Sequence, residues 1–276
     1  MITLSDAQFA AAVEAIRSYD AVVVAGAGMS AYGFPTTRQL PALVWQAIDA
    51  VPDALAALRT LAGRGGSAKE ILHADPDLLD EAWSLLRAHP PARYVFQCAF
   101  AQLDADREPS TAHLDLARLI RAGNVECVIS FNWDTCLERA YQRSYGIPLP
   151  HGVLFKPHGD ATNPADEWVL PDEAGVVREG VLVRIDELSD RPRTLLVVGY
   201  SGSDEAVAEQ LLTPLSSRWP VVRIGPSATG DGALTAGADI ALAEIVARLG
   251  DAPPRGWRYV TSVSYTHLTL PTNREV

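Results

Sequence analysis

The stretch VVVAGAGMSAYGFP, residues 22–35, decides the fold. Its valines, Val22 to Val24, run without polar alternation, as in a strand buried on both faces. Gly26, Ala27 and Gly28 then form a tight turn into the next element. Strand, glycine turn and helix in that order make a nucleotide-loop pattern, in which Gly26 and Gly28 let backbone N–H groups approach a diphosphate where a helix dipole favours negative charge. A glycine pair alone is a weak signal, and a plain strand-to-helix turn is the alternative reading. Where the dehydrogenase fingerprint has its third glycine this sequence has Ala31, so hydride transfer on a standard Rossmann turn loses support.

The same pattern recurs along the chain. Residues 5–18 read as an amphipathic helix and 21–25 as the first strand. NVECVISFNWDTCLERAYQ gives a strand over 125–130, a polar turn at Asn132 to Asp134 and a helix from about Thr135. VLFKPHGD, residues 153–160, is a shorter apolar segment that ends in a polar turn. RTLLVVGYSGSDEAVAEQLL supplies another strand, a Gly/Ser turn with Asp204 as its N-cap, and a helix. PVVRIG and ADIALAEIVARLG read as a last strand and a last helix. Between the first two strands, residues 38–120 carry helical periods separated by Pro and Gly. The expectation is an α/β fold of Rossmann type, a doubly wound parallel sheet with a helical insertion and its polar turns gathered at the strands' carboxyl ends.

Bulk properties narrow the function. The 276 residues are 48% hydrophobic, enough for one large domain with a real core. The formal charge is -11, and no Lys/Arg run offers a track for a phosphate backbone, which disfavours direct nucleic-acid binding. Only Lys69 and Lys156 are lysines, a bias that suits a high-GC bacterial genome. Cys98, Cys127 and Cys136 are odd in number and far apart, supporting neither a disulfide framework nor a structural zinc site. The first twenty residues lack a secretory pattern, and no stretch nears the ~20 apolar residues of a membrane span, so a cytoplasmic location is expected.

GAGMSAYGFPTTR resembles the sirtuin pattern of a GAG loop followed by Ser and a G-x-P-x-x-R segment. SFNWD resembles that family's Asn-x-Asp turn, PHG its His-Gly, and VVGYSGSD its late Gly-x-Ser loop. The four motifs stand in the family's order across roughly residues 10–250, and an ordered set is far more specific than any one of them. The chain departs from the deacylases in lacking four zinc cysteines and in having Phe131 where they have Gln. It is more similar to the sirtuin-like NAD hydrolases of bacterial antiphage defence, which omit the zinc module and carry extra domains.

That resemblance implies NAD as substrate, no metal, and release of nicotinamide and ADP-ribose. Breaking the nicotinamide–ribose bond builds positive charge on the sugar, so a polar, water-restricted pocket is required. Asn132 would orient the ribose or the attacking water. Asp134 would accept from ribose hydroxyls or from the loop backbone, its charge favouring a cationic sugar. His158 suits a base toward water or a ribose hydroxyl, with a satisfied hydrogen-bonding His in a turn as the alternative, and Gly159 beside it allows close approach. Ser30, Pro35 and Arg38 fall where the family has a cofactor-covering segment, Arg38 either pairing with a diphosphate or starting a surface helix. Gly199, Ser201 and Asp204 suit phosphate or adenosine-ribose contacts, and Asp204 equally suits a simple cap. Trp133 either lines the pocket or plugs the core. His73, His89, His113 and His151 lack metal-like spacing and read as surface or helix residues.

Two rivals stay open. A protein deacylase on the same fold would act on an acyl-peptide, and a non-catalytic NAD or ADP-ribose sensing module would bind ligand and leave it intact. The final residues, from about Val263, change composition abruptly, and VSYTHLTLPT resembles the translation of a sequencing-library adapter. Residues 1–262 are therefore expected to form the NAD-binding domain and 263–276 a non-native tail. A C-terminal sensor domain or partner protein is expected to complete the protein, and a homo-oligomer remains open.

Overall fold

In a computed structural model the protein is described over residues 6–31, 40–165, 168–171, 173, 179–201 and 204–250. Six strands, β1 (Ala21–Ala25), β2 (Val125–Ser130), β3 (Leu154–Phe155), β4 (Thr194–Val198), β5 (Val221–Ile224) and β6 (Ala233–Leu234), make one sheet in the order β3-β2-β1-β4-β5-β6. Every neighbouring pair is parallel. The chain winds outward from β1 through β2 to β3, then crosses to β4 on the other side. This is the doubly wound arrangement that the strand–turn–helix spacing predicts, and it puts a topological switch point between the β1 and β4 ends.

The uniform apolar character of the strands follows from their position. Val22 and Val24, with Cys127, Ile129, Leu195 and Val197, face one layer, where they pack with Val181, Ile185 and Leu211. Val23, Val128, Leu196 and Val198 face the other, against Phe9, Ile16, Leu116, Tyr141 and Ile245. Successive side chains point to opposite faces, and both faces are covered, so no polar alternation survives. The first layer is built by α9 (Glu179–Leu188) and by a helical run of α10 (Glu205–Val207), one π turn (Ala208–Leu212) and α11 (Thr213–Ser216). The second is built by α1 (Asp6–Ser18), α7 (Thr111–Arg121), α8 (Cys136–Tyr145) and α12 (Ala238–Leu249).

Among the described residues, five α-helices lie between β1 and α7: α2 (Pro41–Asp49), α3 (Pro52–Ala62), α4 (Ala68–Ala74), α5 (Leu79–Ala88) and α6 (Pro90–Ala105). They share a core of their own, with Val44, Ile48, Leu58, Ile71, Leu86 and Phe96 fully buried. Trp133, Cys136 and Trp168, from outside these helices, are built into that core. Of the segment 38–120, α7 packs instead with the sheet layer through Ala112, Leu116 and Leu119. Among the described residues no helix is long and apolar enough to cross a membrane.

Phe96 is the joint of this second core, meeting Trp83 at 5.3 Å and Trp133 at 5.9 Å, both edge to face. Phe96→Ala is expected to destabilise the protein by about 3–5 kcal/mol, read as a lower denaturant midpoint at unchanged slope.

Candidate functional site

Site construction begins where the β1 turn meets the β4 turn. Gly26 N–H donates to Val198 O at 3.0 Å and Gly28 N–H to Gly199 O at 2.8 Å. A Cβ on Gly28 would sit 2.7 Å from that carbonyl oxygen, and one on Gly199, whose φ is +60°, 2.2 Å from the Met29 nitrogen. The glycines let two backbones touch. Both turn amides are directed at β4, and the residues after Gly26 form a single 3-10 turn, Ala27–Met29.

That turn exposes the Gly26 carbonyl to β2. Asn132 Nδ2 donates to Gly26 O at 3.1 Å and to Ser30 Oγ at 3.1 Å. A carbonyl oxygen can only accept, so the amide is oriented with Nδ2 inward and Oδ1 as its remaining acceptor. Ser30 Oγ donates to Asp134 Oδ2 at 2.8 Å and lies 3.2 Å from His113 Nε2. Asp134 Oδ1 accepts from Cys136 N–H at 3.1 Å. His113 Nδ1 accepts from Ser110 N–H at 3.2 Å, which puts the proton on Nε2 and makes it a donor to Ser30. Ser30 thus accepts twice and donates once.

Ser30, His113 and Asp134 are all buried. Burial lowers the His113 pKa, although the Asp134 carboxylate pulls the other way. Ligand atoms of His113, Asp134 and Cys136 lie within 4.8 Å of one another. A metal there would have to displace the His113–Ser30 bond and ionise a thiol whose pKa burial raises well above the usual range. In the structure Asn132, Ser30, His113 and Asp134 are joined by hydrogen bonds.

The segment after β3 brings His158 to the same end of the sheet. Its carbonyl accepts from Trp133 Nε1 at 3.0 Å and from Val169 N–H at 2.9 Å. Its ring meets Phe131 edge to face at 4.8 Å, and its Nε2 lies 3.7 Å from Asp204 Oδ2. Gly159 has φ +103°, and a Cβ there would stand 2.7 Å from Trp168, so this glycine admits the indole. Trp133 stacks on Trp168 at 5.3 Å and meets Phe100 at 5.3 Å. Of the two readings of Trp133, the structure has the core plug.

Lys156 locks the two segments together. Its ammonium donates to the Asp134 carbonyl and pairs with Glu138 at 2.8 Å and Asp160 at 3.0 Å. Burial works to lower its pKa, but the two carboxylates outweigh that and hold it above the usual lysine value. Asp104 of α6 acts in parallel, accepting from Thr135 N–H at 3.0 Å and pairing with Arg139 at 3.0 Å.

Asn132, Asp134, Ser30, Gly26, Ala27, Gly28 and Gly199 are thus gathered at the switch point, with His158, Gly159 and Asp204 beside them. Ser201 is exposed at the edge of the β4 turn. Pro35 and Arg38 lie outside the described residues. The sequence reading missed His113, Lys156 and Asp104. For His113 a signal existed: it shares the 113, 116, 117, 120 face of α7 with Leu116, Ala117 and Ile120, all buried.

The fold is that of solved Sir2 structures. One, reported for the mechanism and regulation of Sir2 enzymes, aligns with TM-score 0.58 at 20% identity over 89% of this chain and 98% of its own. A Sir2 homolog in complex with NAD gives 0.53 at 17% identity, covering 87% and 93%. A mutant Sir2 homologue with ADP-ribose gives 0.54 at 18% identity, covering 89% and 96%. At such identities the likeness establishes a sirtuin-like fold. No protein-family model matches the sequence, and no curated protein matches it.

Because the folded protein holds His113 neutral, unfolding takes up a proton once the pH falls below the free imidazole value of ~6.5. The His113 contribution to stability is therefore complete above that pH and is lost as pH falls below it. Unfolding free energy measured from pH 7.5 to 5 is expected to fall less steeply in His113→Asn than in the parent.

Proposed function

We propose that this protein hydrolyses NAD to nicotinamide and ADP-ribose. The observation that carries the reading is Asn132, oriented by Gly26 and Ser30 at the switch point of a sirtuin-like sheet, with Oδ1 left as its remaining acceptor. Ligands of open α/β sheets bind at such points. The related folds solved with NAD and with ADP-ribose support the choice of ligand.

In this reading the nicotinamide–ribose C–N bond breaks with its electron pair leaving on nicotinamide, and the anomeric carbon becomes oxocarbenium-like. Asn132 Oδ1 orients the attacking water or the ribose. His158 takes the proton as water adds to the anomeric carbon. Asp134, buried and bonded to Ser30 and the Cys136 N–H, contributes negative potential and fixes Ser30. Gly199 and Ser201 on the β4 turn, with Gly26, Ala27 and Gly28 opposite, bound the path for the diphosphate in this reading, and the motif resemblance assigns Pro35 and Arg38 to a cofactor-covering segment. The reaction needs no metal.

Phe131 favours water over a peptide as the nucleophile, because its ring lies against His158 where deacylases carry a polar Gln. Antiphage defence, in a bacterial cytoplasm and with a partnering sensor domain, is the setting that the motif resemblance favours.

Purified protein is expected to release nicotinamide from NAD. His158→Ala is expected to lower kcat by about 10²–10⁴-fold, and Asn132→Ala is expected to abolish release, with both variants folded by circular dichroism. A folded protein that binds NAD and leaves it intact would sink this reading.

A further inference from the structure

His158 is held from two directions by different parts of the chain. Trp133 and Val169 fix its backbone, and its ring stands between the edge of Phe131 and the carboxylate of Asp204. Asp204 is itself immobilised. Its Oδ1 caps the following helical run by accepting from Val207 N–H at 3.2 Å, and Tyr200 Oη donates to its carbonyl at 3.2 Å. Burial raises the Tyr200 pKa, so that hydroxyl stays a donor across the neutral range. With one oxygen committed to the cap, Oδ2 is the one that faces His158 Nε2, at 3.7 Å.

We propose that Asp204 is the positioning residue of His158, accepting from its Nε2–H and so leaving the basic lone pair on Nδ1. The assignment rests on the hydrolase reading for its catalytic meaning and on geometry alone for the contact. A separation of 3.7 Å is longer than a made hydrogen bond. Such contacts are often long before ligand binds and tighten in the complex. The side chains are 19% and 12% exposed, enough shielding for the carboxylate to matter. Phe131, across the ring, offers no competing polar group. The cap alone does not account for this arrangement, since capping needs one oxygen and leaves the direction of the other open.

A carboxylate next to an imidazole does two things. It selects the tautomer with the proton on the facing nitrogen, and it stabilises the imidazolium that forms when the base takes a proton. Among the described residues, Lys156, two positions before His158, pairs with both Asp160 and Glu138 of α8, and Asp134 is bonded to Ser30 and Cys136. Tyr200 is turned to the Asp204 carbonyl.

The test is an NMR titration of the His158 imidazole in the intact chain, parent against Asp204→Asn, beside steady-state kinetics on NAD. Asparagine keeps an acceptor for Val207 and removes the charge. Removing an anion beside an imidazole lowers its pKa, here by about one unit, so the acid limb of the kcat profile moves to lower pH. A fall in kcat of about tenfold with KM unchanged is expected. In the parent alone, ring nitrogen shifts should report the Nε2–H tautomer, a result that needs no variant to fold. An Nδ1–H tautomer, or an unchanged His158 pKa in Asp204→Asn, overturns the proposal. So does a raised KM at unchanged kcat, which would make Asp204 a ribose contact. If the parent releases no nicotinamide, the hydrolase reading fails while the titration still decides this contact.

Discussion

The contact between the β1 and β4 turns sets the geometry of everything around it. Gly28 and Gly199 meet backbone to backbone, at a distance that leaves no room for a Cβ on either. That contact takes up the Gly26 and Gly28 amides, while the Gly26 carbonyl accepts from Met29 N–H within the turn and from Asn132 of the β2 turn. Ser30 follows four residues on, under Asn132 and above Asp134. Three strand ends are thereby keyed to one another by hydrogen bonds of 2.8–3.1 Å.

The helical insertion is the second constraint, and it acts on the side of the site that the glycine contact does not reach. Its core takes in Trp133, whose neighbours in sequence are Asn132 and Asp134. The same indole donates to the His158 carbonyl, and Trp168, stacked on it, fills the space that Gly159 leaves. Asp104 of α6 adds a charged anchor at the start of α8, next to the same turn. A core substitution far from any ligand therefore moves the Asn132 and His158 segments together, since one aromatic side chain belongs to both.

Five of the six strands were legible because a parallel sheet covered on both faces demands apolar runs, which β1 and β4 supply at Ala21–Ala25 and Thr194–Val198 and β2 supplies from Cys127 to Ile129, whereas the two-residue β6 (Ala233–Leu234), beyond the strand read as the last, is too short to carry a pattern. The turns were legible as turns. What they do was less so: the glycines looked like spaces for a ligand, and Gly28, Gly159 and Gly199 are occupied by protein. That difference depends on which loops meet in three dimensions, which local spacing does not encode. His113 was passed over for a similar reason. Its place on the apolar face of α7 marks it as buried, but its partner follows only from the tertiary packing that brings it under Ser30. Lys156 and Asp104 likewise gain meaning from partners that are distant along the chain or on other elements, Asp104 finding Thr135 and Arg139 across 31 and 35 residues.

The hydrogen-bond accounting also divides the labour of the polar groups. Ser30 Oγ is saturated by three partners, and both Asp134 oxygens are taken. A saturated hydroxyl cannot exchange hydrogen bonds with a substrate without breaking the network that places it, which is costly for buried bonds, and Asp134 is shielded by its burial. Their effect on a bound ligand is therefore through fixed charge and fixed position. The groups on which the proposed reaction draws directly are Asn132 Oδ1 and the His158 ring. The first is rigid because its amide nitrogen is tied down twice, and the second stands at the boundary between an aromatic edge and a carboxylate. A preorganised, buried half beside a more exposed half with one titratable group suits the proposed chemistry, in which positive charge builds on a ribose as its leaving group departs. The buried half need not reorganise as the charge develops.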